Sequence, residues 1–213
     1  MKVKAVLLLA LIVLIGFFLK FKDGEVIIDN FMVPDRVEIP YPAKYNFRQS
    51  INGCGPYSVA AVARILTNRE VDIYTIEKEM PLRIKSGYSH PWGMKRQLER
   101  LGLKAKTYQL GNKSWGEKLN FLMAKLSQNE PVILMGNKNG YQHYITLLGY
   151  DAKQKEVYVY DSWHDKEVEG LTIDSNGELA GNMTMSFNDL EKFWKGGGVM
   201  GFYRWYAIVA SQK

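Results

Sequence analysis

Residues 49–66 read QSINGCGPYSVAAVARIL, and the rest of the chain is best understood outward from them. They hold the only cysteine of the 213 residues, Cys54, between Gly53 and Gly55. Pro56 follows, and proline suits the first turn of a helix, where its missing N–H would have no partner in any case. Val59, Val62, Ala63 and Leu66 then recur at steps of three and four, which predicts a helix over about 55–67 with one buried face. Cys54 thus stands at a helix N-terminus, where free N–H groups and the helix dipole favour an anion. A thiolate is the form such a place stabilises. The plain alternative is a small hydrophobe under the end of a core helix, since free cysteines are often buried and inert.

Composition narrows the classes. The net charge is +6, but Lys2, Lys4, Lys20 and Lys22 account for four of those charges and residues 1–22 contain no acid, leaving +2 for residues 23–213. That balance, without a basic stripe interleaved with aromatics, excludes a nucleic-acid partner. One cysteine forms no internal disulfide, and three scattered histidines show no ligand spacing, so neither metal nor cofactor is expected. Residues 5–19, AVLLLALIVLIGFFL, are uninterruptedly apolar with lysines on both sides. With Val3 and Phe21 added, and the lysines reaching outward, the run approaches the ~20 residues of a bilayer span. No small-residue cleavage site follows it, which favours an uncleaved signal anchor over a cleaved signal peptide. The expected organisation is a signal anchor or signal peptide at 1–22, a linker and edge segment at 23–43, and one domain at 44–213.

Within that domain Asp72 reads as the N-cap of a second helix ended by Pro81, and a short helix ends at Gly102 after the turn-rich Ser89–Trp92. Residues 103–110 suggest a strand. Residues 114–128 form an amphipathic helix whose Leu119, Leu122, Met123 and Leu126 make a core stripe. The last third is β: PVILMG, the hairpin of YQHYITLLGYD with KEVYVYD turning at 151–155, and a closing strand GFYRWYAIVA after a short helix at 186–194. Helices first and an antiparallel sheet after them define the α+β class.

Adjacent hairpin strands can set side by side His143, in the first, and Asp161, at the end of the second. With Cys54 upstream these form a Cys/His/Asp set. In it Cys54 attacks a carbonyl carbon, His143 pairs with the thiolate and protonates the leaving amine, and Asp161 orients the imidazole. The Cys54 backbone N–H and the Gln49 side chain are the expected oxyanion donors, with Asn52 as a substitute for Gln49. His164 is a second candidate histidine near Asp161, and His90 reads as a loop residue.

Gln49, NGCGPYSVAAV, HYITLLGYD and VYVYDSW, in that order, resemble the papain-like cysteine peptidases of the bacteriocin-leader (double-glycine) peptidase-like group, over about residues 44–210. The resemblance implies a papain-like fold, Cys54 as nucleophile, His143 as base, Asp161 as orienter, Gln49 as oxyanion donor, and a peptide or protein substrate. In this chain Gln49 precedes Cys54 by five residues where six is usual, and Ser162 follows Asp161 where Pro is frequent. No transporter segment accompanies the domain, so the leader-peptide substrate of transporter-linked members is not carried over. The expected protein is a thiol peptidase at the cell membrane, single-pass with its domain outside the cytoplasm, or secreted if the first segment is cleaved. An acyl-transfer enzyme with the same triad and a non-catalytic peptide-binding module on the same scaffold are the alternatives.

Overall fold

A computed structural model describes residues 33–163, 180–198 and 202–213. The apolar segment 1–22, residues 23–32 of the linker and His164 lie outside the described residues. Among the described residues, no helix is long and apolar enough to cross a membrane.

Five α-helices and seven strands are described. The helices are α1 (Cys54–Thr67), α2 (Ile73–Glu79), α3 (Pro91–Arg100), α4 (Trp115–Ser127) and α5 (Phe187–Lys195). The strands are β1 (Arg36–Glu38), β2 (Lys104–Gln109), β3 (Val132–Lys138), β4 (Tyr141–Asp151), β5 (Glu156–Tyr160), β6 (Met183–Ser186) and β7 (Tyr206–Ser211). They form one antiparallel sheet in the order β2-β7-β3-β4-β5-β6, with β1 beside the far end of β4. The α+β architecture is therefore as the element pattern implies.

Helix starts follow local chemistry. The Asp72 carboxylate accepts from the Tyr74 and Thr75 N–H groups at the start of α2. Ser114 and Glu117 close a capping box on α4. Pro91 follows a His90 cap on α3.

The strands alternate between two cores, as a period of two requires. Ile133, Met135, Tyr144, Leu148, Tyr206 and Ile208 join the residues of α1, α2 and α3 on one face. Val132, Leu134, Ile145, Leu147, Ala207 and Val209 meet α4 and α5 on the other. A bulge between Leu147 and Gly149 reverses this alternation, so that Tyr150 joins the second core. Beyond the bulge β1 docks on β4, and Gly149 is what lets it come so close: a Cβ there would lie 2.3 Å from the Val37 carbonyl oxygen.

Three expectations change. Helix α1 is buried nearly all round, because the sheet lies on one side and α2 and α3 on another, and Ala60, Ala61 and Ala63 are small enough to permit it. Its one charge, Arg64, donates to the Val71 carbonyl and lies over the Tyr45 and Phe47 rings. The closing strand starts only at Tyr206, because Tyr203 and Trp205 hold left-handed backbone, φ 63° and 58°, that no strand contains. Strand β6, four residues long, was not anticipated.

Candidate active site

Cys54 is the first residue of α1 and is 8% exposed. No side chain caps this helix, so its first-turn N–H groups face the sulfur's surroundings uncovered by a capping oxygen. The flanking glycines answer to crowding by neighbouring side chains. A Cβ on Gly53 would lie 2.7 Å from Ser50 Oγ, and one on Gly55 would lie 2.6 Å from Ser89 Cβ. Ser50 in turn donates to Glu77 Oε1 at 2.6 Å, and Arg83 Nη2 pairs with the same oxygen at 3.1 Å, so the loop before Cys54 is fastened to α2 and to the segment after it.

His143 is the third residue of β4, opposite Gly136 of β3, and is 1% exposed. Its Nε2 lies 2.7 Å from Asp161 Oδ1. Cys54 is its other polar neighbour: the two line the same cleft, and the nitrogen that Asp161 leaves open is Nδ1. Burial pushes the imidazole toward its neutral form. The hydrogen bond and charge of Asp161, followed by those of Cys54, overcome that and lift it to about 9. For Asp161 burial acts upward, but His143 and then Lys138 outweigh it, and the carboxyl is held below the usual carboxylate range. The pair is thus built to hold an imidazolium against a carboxylate at neutral pH.

Asp161 sits one residue beyond β5, and its main chain is pinned by Asn182, whose Oδ1 accepts from the Asp161 N–H and whose Nδ2 donates to the Asp161 carbonyl. Asp161 Oδ1 also accepts from the Trp163 N–H at 2.8 Å. The Trp163 ring stands edge-on to His143, centroids 5.4 Å apart, and Phe193 of α5 does so from another side at 6.4 Å. Two aromatic walls therefore exclude water from the charged pair, which strengthens its attraction.

Gln49, Asn52, Cys54, Gln142, His143 and Trp163 all line one cleft of about 240 Å³. Gln49 Oε1 accepts from Ser162 Oγ at 2.8 Å, which fixes the amide and leaves its NH₂ end as the donor. The Asn52 Nδ2 donates instead to the Ser86 carbonyl at 2.6 Å, so Asn52 is engaged as a loop tie. A neighbouring groove of about 530 Å³ shares Cys54, Tyr88, Tyr141 and Gln142 with the cleft and adds apolar Leu82, Ile84 and Met135.

His90 borders this groove, but both of its nitrogens are engaged. Nδ1 accepts from the Trp92 N–H, and Nε2 meets Tyr203 Oη at 2.9 Å. Burial holds its pKa below the ordinary value, as an imidazole serving as a cap acceptor requires. Sequence reasoning did not single out Lys138, Asn182 or Trp163. Trp163 was visible as the last letter of DSW, two residues past Asp161. Lys138 and Asn182 carry no local signal, because only the sheet brings them there. Among the described residues, no group of three or more His, Cys, Asp or Glu could hold a metal ion.

A family model described as Peptidase_C39-like matches residues 37–195, three-quarters of the chain. The chain belongs to the Peptidase_C39-like family. It is accordingly a cysteine peptidase-like hydrolase. Comparison with curated protein sequences finds no match. Solved structures share the fold at low identity. A double glycine motif protease from an AMS/PCAT transporter, solved with a leader peptide, aligns over 84% of this chain and 94% of its own, with 15% identity and a TM-score of 0.54. The peptidase domain of Streptococcus ComA, a bifunctional ABC transporter of a quorum-sensing pathway, covers 78% and 97%, with 15% identity and a TM-score of 0.51. Xylellain, a cysteine protease from Xylella fastidiosa, covers 90% and 92%, with 12% identity and a TM-score of 0.54. The resemblance read from the motifs and the α+β peptidase fold agree with these matches.

Proposed function

We propose that this member of the family hydrolyses peptide bonds with Cys54 as nucleophile, His143 as acid and base, Asp161 as orienter and Gln49 as oxyanion donor. The observation that carries the reading is the hydrogen-bonded His143–Asp161 pair sharing one open cleft with Cys54, which stands at an uncapped helix start. The Cys54 thiolate adds to the scissile carbonyl carbon, and the oxyanion is met by the Cys54 N–H and the Gln49 amide. The His143 imidazolium gives its Nδ1 proton to the departing amine as the C–N bond breaks, leaving a thioester. Water then adds to the thioester and gives a proton back to His143. The C–S bond breaks, the acid leaves and the ion pair is restored.

The substrate class is a peptide or protein segment. An extended chain fits a cleft that continues into an apolar groove, and the solved relative described as a double glycine motif protease was captured with a peptide. The apolar run 5–19 with its flanking lysines supports attachment to the cell membrane.

The test is alkylation and hydrolysis by the full chain. Cys54 is expected to react with iodoacetamide at neutral pH faster than a model thiol, and His143→Ala to slow that reaction by at least tenfold. Cys54→Ala is expected to abolish cleavage of a mixed peptide library. Reaction at the rate of free cysteine, unchanged by His143→Ala, would leave a peptide-binding module in place of a peptidase.

A further inference from the structure

Lys138 ends β3 beside a hairpin turn, where a lysine ordinarily extends into water. Here it folds back toward a carboxylate that is itself only 4% exposed. Its Nζ lies 2.7 Å from Asp161 Oδ2, donates as well to the Trp163 carbonyl oxygen, and stands 5.3 Å from the Trp163 ring centre. Ordering a long side chain costs rotamer freedom, so a lysine takes this path only where a local attraction offsets that cost. The result is a closed circuit. Asp161 gives one oxygen to His143 and the other to Lys138, and Lys138 also ties down the residue whose ring shields His143.

We propose that Lys138 is a positioning residue that acts on His143 through Asp161: by sharing the carboxylate it limits how tightly the imidazolium keeps the proton it must deliver. A carboxylate buried beside an imidazole and facing no other cation gives that imidazole its whole negative charge. Such a pair is a reluctant acid. With a second cation on the far oxygen, the attraction available to His143 is reduced while the geometry of the pair is preserved. Among the described residues, the groups facing His143 are few. Cys54 comes from α1 and Asp161 from the end of β5, with Lys138 of β3 behind the carboxylate. The Tyr144 hydroxyl, next on β4, feels the charge of Cys54 and donates to the Ser89 carbonyl, and Tyr160 feels that of Asp161. From α5 the facing side chain is the uncharged Phe193.

The inference rests on the peptidase reading above, and the two fail on different results. The measurement is the pH titration of the His143 ring resonance in the full chain, assigned by its absence in His143→Ala. Wild type is compared with Lys138→Gln and Lys138→Arg. Glutamine keeps a neutral donor for the Trp163 carbonyl while removing the charge, so it separates charge from bracing. A unit charge two hydrogen bonds away in a partly solvated place is worth about one pH unit. Lys138→Gln is therefore expected to move the His143 midpoint up by about one pH unit, and Lys138→Arg to return it to the wild-type value. A glutamine midpoint at or below wild type, or an arginine midpoint displaced as far as the glutamine one, overturns the proposal. Lys138→Met supplies the neutral side chain should the glutamine variant not fold. If His143→Ala still slows Cys54 alkylation while Lys138→Gln leaves the His143 midpoint in place, this inference falls and the peptidase reading stands.

Discussion

Replacing Asp161 with asparagine should convert a pH-dependent share of the fold's stability into none. Each tenfold change in proton affinity is 1.36 kcal/mol, so lifting His143 from 6.5 to about 9 corresponds to about 3 kcal/mol. Asp161 is the larger of the two partners that raise it, Cys54 the smaller. On a Cys54→Ala background, where no thiol titrates, about 2–3 kcal/mol of that should remain. The sign follows from the direction. A histidine raised on folding stabilises fully below its unfolded pKa of about 6.5 and loses that stabilisation as pH climbs through about 9. Asp161, lowered on folding, adds stability above its unfolded value and loses it as pH falls. The gap between Cys54→Ala and Cys54→Ala/Asp161→Asn should thus be widest near pH 5.5–6.5 and narrow by about 2–3 kcal/mol toward pH 9.5, leaving the part due to Lys138. Urea unfolding at a series of pH values reads it directly. A gap that stays constant from pH 6 to pH 9.5, or widens, would show that the His143–Asp161 contact does not hold an imidazolium.

Three further outcomes follow from the same geometry. Gln49→Ala should lower turnover by about 10²–10³ with Cys54 alkylation almost unchanged, whereas Asn52→Ala, whose amide serves Ser86, should lower it far less; steady-state kinetics on a peptide substrate decides. Gly136→Ala would bring a methyl within 2.3 Å of the Phe193 ring directly opposite His143, so stability should fall by about 1–3 kcal/mol in urea unfolding and the His143 ring resonance should move. His90→Ala removes a helix cap and the Tyr203 contact and should cost about 1 kcal/mol, while iodoacetamide reacts with Cys54 at the wild-type rate.

Much of the fold was legible because its signals are local. Pro56 after a glycine marked the start of α1 within a residue, Asp72 and Ser114 marked two more helices, and residues 131–136, 141–151 and 155–161 read as strands from their β-branched and aromatic runs. The nearness of His143 and Asp161 was legible for the same reason: one hairpin carries both. What stayed hidden depends on contacts between distant segments. Strand β6 has four residues and exists because β5 offers an edge for it. Lys138 reaches Asp161 only because β3 and β5 flank the same strand. Gln49 and Asn52 differ through their partners Ser162 and Ser86: Ser162 stood out only as a departure from a frequent Pro, and Ser86 carries no signal in the sequence.

Strand β7, the last of the described strands, lies between β2 and β3, and among the described residues no other strand lies beside β2. During synthesis the catalytic-looking half, from α1 through β5, is therefore made long before the strand that joins β2 to it. Until residues 206–211 leave the ribosome, β3 has a bare flank and β2 has nothing to pair with. A nascent chain halted short of that point should expose an open edge on β3 through which it sticks to other chains.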